Sequence, residues 1–181
     1  MRREILTVGS PGLRIVASHV PNVGDATVVA DAIALRDTLR AFRDEHGFGR
    51  AIAATQIGIA RRMIGLALPD WPEVIVNPEI VWTSVCRITL WDDCMCFPDM
   101  LVRVERHASI SLRFVDLAGR LHLRERLSPD VSELMQHEID HLDGVLSFDR
   151  AVGANPFVHR RVFENEREAF ARDVDHFTQP V

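Results

Sequence analysis

The stretch Gln136-His137-Glu138-Ile139-Asp140-His141 constrains this chain more than any other. Two histidines four residues apart lie one above the other on the same side of a helix, so both imidazoles can reach a single cation. Glu138 stands between them. On a helical projection Val131, Leu134, Met135 and Leu142 gather into an apolar stripe, with the histidines along one edge and Glu138 on its boundary. The histidines should therefore face a groove rather than bulk water. Ser128-Pro129 reads as an N-cap followed by proline in the first turn, and Gly144 as the residue just past the C-terminus. A His-Glu-x-x-His pattern on such a helix points to a metal with three protein ligands and one open position.

The rest of the chain has to supply the third ligand and the scaffold. At 181 residues it reads as one domain spanning 1–181, large enough for a full hydrophobic core. A net charge of -5 offers no basic field, which disfavours nucleic acid as a principal partner. Arginine supplies all 21 positive charges, and lysine is absent. The start of the chain lacks the apolar run of a signal peptide, and no stretch approaches a membrane span, so a cytoplasmic protein with no membrane partner is expected. Cys86, Cys94 and Cys96 are too few and too close for a disulfide framework; free thiols or metal ligands fit better.

Turn residues at Gly9-Ser10-Pro11-Gly12 and Pro21-Asn22-Val23-Gly24 mark residues 1–24 as a wrapping arm. Val28, Ala32, Leu35, Leu39 and Phe42 repeat at helical spacing over 26–46, and Gly47 ends the pattern. Strands are expected at 63–68 and at 74–76, the latter closed by Asn77-Pro78, with mixed strand over 80–90. Ile110, Leu112 and Phe114 alternate with polar residues, 116–119 turns, and Leu121 and Leu123 alternate again, which is an antiparallel hairpin. A last helix is expected over 156–172. The pattern is that of an α+β domain, with antiparallel sheets packed around the metal helix between an N-terminal and a C-terminal helix.

Known zinc-protease patterns can be tested for the third ligand. Ser147 stands where a metzincin would place its third histidine. A gluzincin would use a glutamate from a later helix, and Glu164, Glu166 and Glu168 are available, although with Arg160, Arg161 and Arg167 they read as a solvated face. An upstream thiolate is the remaining source. Gln56, the one long polar residue in the apolar run 51–59, reads from its surroundings as a satisfied core amide.

The chain resembles the peptide deformylases over nearly its whole length. Their three motifs occur in order: Gly-x-Gly-x-Ala-Ala-x-Gln at Gly49, Ala53, Ala54 and Gln56 with Gly58 after it; Glu-Gly-Cys-x-Ser, kept only at Cys94; and Gln-His-Glu-x-Asp-His, unchanged at 136–141. Leu6 to Arg14 and Val76 to Ile80 add local similarity. The resemblance implies the peptide deformylase fold and a metal held by Cys94, His137 and His141, with ferrous iron the usual ion and zinc, nickel or cobalt compatible with the donors. It implies attack of a metal-bound water on the formyl carbon of an N-formyl-methionyl peptide or small N-formyl amine, with Glu138 as general base and then acid. Gln56 and the Met95 backbone N–H become the oxyanion donors, which overrides the core-amide reading of Gln56. Gly49, Arg50, Ala51, Asp92, Glu133 and Leu134 fall along the substrate pocket.

Departures from the family pattern cluster in that pocket. Ala51 replaces a glycine, Asp92 and Asp93 replace Glu and Gly, Cys96 replaces Ser, and Glu133 stands where an aliphatic residue or arginine is usual. Weaker selectivity for formyl-methionine is expected, with basic or polar first side chains favoured. On an extended segment Cys94 and Cys96 would point to opposite faces, leaving Cys96 as a packed thiol. An ion pair between Arg106 and Asp140 is expected, because an unpaired carboxylate inside a buried helix is costly. Residues 157–176 carry five acidic residues against four arginines, so tight ribosome docking through a basic C-terminal helix is not expected. Two rival readings are a gluzincin-type metallopeptidase and a metal-bound, non-catalytic paralogue acting as a binding protein.

Overall fold

The computed structural model describes residues 2–177. Its central element is the metal-motif helix α2, Pro129–Leu142. A five-stranded antiparallel sheet runs in the order β1 (Ala51–Ala53), β2 (Met63–Leu66), β3 (Val74–Thr83), β6 (Ile110–Asp116), β7 (Leu121–Arg124). A three-stranded antiparallel sheet, β4 (Arg87–Asp93), β5 (Met100–His107), β8 (Phe157–His159), lies on the other side of α2.

Strand alternation distributes the core between two helices. Ile52, Met63, Val74 and Val76 project onto α1 (Ala26–His46), whose Val28, Ala32, Leu35, Leu39 and Phe42 are buried as their spacing requires. Ala51, Ala53, Ile64, Leu66 and Ile75, one residue out of phase, project to the opposite face and meet Leu134, Met135, Ile139 and Leu142 of α2. The larger sheet is thus sandwiched between α1 and α2. Gly144, just past α2, holds φ 72°, and a Cβ there would stand 2.7 Å from the Arg14 carbonyl oxygen; glycine lets the N-terminal arm press against the helix end.

Four expectations need correction. The strand at 74–76 does not stop at Asn77-Pro78: β3 continues to Thr83, because a register shift between Val76 and Glu79 leaves Pro78 outside the regular ladder. Asn77 takes φ 50° and ties the bend to the arm, its side chain accepting from the Val20 N–H at 2.8 Å and donating to the Val20 carbonyl at 2.9 Å. Strand β5 has no counterpart in the sequence reading, since its apolar alternation is broken by Arg106, which is nonetheless buried. The expected last helix over 156–172 is instead β8 followed by two short helices, α3 (Arg160–Asn165) and α4 (Arg167–Arg172), hinged at Glu166 with φ -119° and ψ 30°. Finally, residues 94–97 form a turn, with the Phe97 N–H donating to the Cys94 carbonyl at 3.2 Å, where an extended segment was expected.

Candidate metal centre and cleft

Helix α2 is buried from Ser132 through Leu142 on every side, not along a single stripe. Each of its polar side chains therefore needs a partner inside the protein. Ser132 and Gln136 donate to the His107 carbonyl at 3.0 and 2.9 Å and fasten the helix to β5. The expected Arg106–Asp140 pair forms, and it is part of something larger. Arg106 also donates to Asp92 at 3.0 Å, and Arg150 donates to Asp140 at 2.7 and 3.1 Å.

Asp92 lines the cleft, but its carboxylate is turned inward. It takes His137 Nδ1 at 2.9 Å, Arg106, and the Ser147 hydroxyl at 3.0 Å. This orients His137: Nδ1 donates to Asp92, and Nε2 faces the centre, where it offers a lone pair once a cation takes the place of its proton. His137 Nε2 stands 3.1 Å from His141 Nε2, and His141 Nε2 stands 3.2 Å from Cys94 Sγ. The Cys94–Phe97 turn also brings Cys96 to the same side, so that the two sulfurs and a His141 ring nitrogen lie within 4.8 Å of one another. Both sulfurs accept from Gln56 Nε2, at 3.6 and 3.5 Å, while Gln56 Oε1 accepts from the Ala53 N–H at 2.7 Å. The amide is thereby held with its NH2 toward the centre.

These donors suit a divalent cation. Burial pulls the His137 ring down, Asp92 outweighs it, and the ring settles at about 9; His141 is pushed well below its ordinary value by burial and by His137. The two Nε2 atoms thus converge on room for one positive charge. Burial pushes the Cys94 thiol up, while the hydrogen bond from Cys94 draws Cys96 down. A thiolate at Cys94 consequently requires a cation beside it. Glu138 lies between the histidines with Oε2 buried and without a hydrogen-bond partner, and burial, partly offset by His137, pushes it up to about 7. A carboxylate kept short of partners beside a nucleophile site can still take a proton.

The centre opens into a cleft of about 290 Å³, whose lining includes Gln56, Cys94, Met95, His137 and Glu138 together with Trp91, Leu134, Arg160 and Phe163. Gly49, Arg50, Ala51, Asp92 and Glu133 also line it, so the residues that the motifs point to converge on one place. Gly49 has φ 114°, which only glycine takes without strain, and a Cβ there would meet the Met95 methyl at 2.5 Å. Ala51 begins β1, the edge strand of the larger sheet, and is buried against the α2 side. Among the described residues Glu164 reaches the cleft rim, while none of Glu164, Glu166 and Glu168 belongs to the cluster of ligand atoms.

The polypeptide deformylase family model matches residues 2–156. This chain belongs to the polypeptide deformylase family. The peptide deformylase of Thermomicrobium roseum is 38% identical over 157 residues, which cover 82% of this chain and 85% of that protein. The crystal structure of the Thermotoga maritima peptide deformylase superposes with a TM-score of 0.75 at 27% identity, covering 84% of this chain and 99% of that one. A Met-Ala-Ser-bound class I type b peptide deformylase from Acinetobacter baumannii superposes at 0.70 with 28% identity, covering 83% and 98%. The α+β fold and the deformylase class of enzyme follow from these matches, and the family is metal-dependent. No helix among the described residues is long and apolar enough to cross a membrane.

Sequence reasoning missed three features of the site. Ser147 and Asp92 hold His137 from behind, Trp91 and Phe163 wall the cleft, and Arg50 pairs with Glu133 across 83 residues of chain. Only the chemistry of Glu133 gave a signal, since a buried carboxylate on a helix demands a partner.

Proposed function

We propose that the chain removes the formyl group of N-formyl-methionyl or related N-formyl peptides, releasing formate and a free α-amine, with Cys94, His137 and His141 holding ferrous iron. Zinc, nickel or cobalt would also suit one thiolate and two imidazoles. The observation that carries this reading is the buried, unpartnered Glu138 Oε2 in the same cleft as Gln56 Nε2 and the His–Cys cluster. A bound divalent cation supplies Lewis acidity and draws the pKa of water toward neutrality. Glu138 then takes the proton of the attacking water and delivers it to the departing amine nitrogen.

Gln56 Nε2 and the Met95 N–H donate to the formyl oxygen as it gains charge. Gln56 performs this without reorganising, because Ala53 already fixes its amide. Strand β1 is an edge of the larger sheet and its Ala51 lines the cleft, and an extended peptide can add to such an edge as a further strand. That the Acinetobacter peptide deformylase binds Met-Ala-Ser supports a peptide as the ligand of this cleft. A cytoplasmic site of action goes with that substrate class. The metallopeptidase rival would need Glu164, Glu166 or Glu168 at the metal, and the binding-protein rival would show tight metal without turnover.

The deciding experiment is formate release from N-formyl-methionyl peptides by freshly prepared ferrous protein without oxygen. Stoichiometric formate is expected; metal-loaded protein that releases none would refute the reading.

A further inference from the structure

Beside the reacting carboxylate the cleft wall carries an ion pair where a thioether would need an apolar lining. Glu133 sits one turn before His137 with its side chain 3% exposed, and the Arg50 side chain, 19% exposed, lies over it. Arg50 Nη2 donates to Glu133 Oε1 and Nη1 donates to the Asp130 carbonyl at 2.9 Å. Both residues line the cleft, and the guanidinium is the more exposed of the two. A guanidinium has five N–H donors, and these two contacts use two of them.

Resting on the deformylase reading above, we infer that the Arg50–Glu133 pair selects N-formyl peptides whose first side chain is an uncharged carboxamide. An alkyl or thioether chain would strip water from the guanidinium and return no hydrogen bond, which costs free energy. An ammonium would approach Arg50 before it could reach Glu133, so of the basic and polar side chains expected from the sequence this inference keeps the polar ones. A carboxylate would gain Arg50 but be drawn among Glu133, Glu138 and Asp92, all of which line the same cleft. A carboxamide oxygen accepts from Arg50 without adding charge.

The test compares kcat/KM for N-formyl-glutaminyl, norleucyl, lysyl and glutamyl peptides with one common tail, using metal-loaded protein of measured metal content. The glutaminyl peptide should exceed the norleucyl one by about tenfold, the worth of one net hydrogen bond, with the lysyl and glutamyl peptides lower. Arg50→Met uncovers Glu133 and should move the preference to the lysyl peptide. Arg50→Leu combined with Glu133→Leu should restore preference for norleucine. Norleucine equal to or better than glutamine in the wild-type protein overturns the inference while leaving the deformylase reading intact, whether or not either variant folds. No formate from any peptide overturns both.

Discussion

The two walls of the cleft are built on different principles. Behind the histidines, Arg106 is shared by Asp92 and Asp140, Arg150 also holds Asp140, and Ser147 also holds Asp92, so Arg106, Asp92 and Asp140 each have more than one partner. Moving one member would strand another, and the histidines are held in a single arrangement. One turn before His137, Arg50 and Glu133 form a single pair, and two six-residue helices hinged at Glu166 line the rim. The chemical wall is over-determined, whereas the recognition wall is sparse. Selectivity can therefore change without disturbing the metal donors.

Perturbations of the metal donors and of the network behind them test how firmly that wall is fixed. The largest effect is expected from Cys94→Ser, which should abolish tight metal binding and activity together, as metal titration and formate release will show. Cys96→Ser should hold metal within about tenfold of wild type; equal losses in both variants would mean that both sulfurs ligate. Asp92→Asn replaces the anion behind His137 Nδ1 with a neutral amide and should weaken metal affinity ~10–100-fold by the same titration.

On stability, Arg106→Ala leaves two buried carboxylates short of a cation and should cost ~3–5 kcal/mol in urea unfolding. Glu79→Ala, which removes an exposed partner of Arg113, should cost ~1 kcal/mol or less. Comparable costs would dissolve the contrast between network and surface pair. The smallest effect is a pH dependence. Because burial raises Glu138 to about 7, kcat/KM should fall as the pH drops through that value and the base becomes protonated, with a cation beside it moving the limb lower. A rate that rises on acidification would contradict the assignment of Glu138 as base.

The over-determined wall was also the legible one. His137, Glu138 and His141 are readable because a four-residue spacing is a local property of one helix. Helix α1 was legible for the same reason, its apolar period closing at Gly47 with φ 74°. Features set by tertiary contact were not. Arg106 is buried only because Asp92 and Asp140 wait for it, so the alternation of β5 was hidden. The run from Phe157 to Phe170 suits a helix locally, but its first residues pair with Met100–Val102 as β8, and Phe163 and Phe170 pack on Trp91 instead of forming one continuous stripe. The Cys94–Phe97 turn put Cys96 in the centre, where strand alternation had excluded it.

The most direct test of the account is Glu138→Gln, assayed for metal content and formate release on the same sample. The amide keeps the shape of the carboxylate but cannot accept the proton at Oε2. Wild-type metal content with turnover reduced ~100-fold or more is expected. Turnover above about a tenth of wild type at full metal occupancy would mean that Glu138 is not the base.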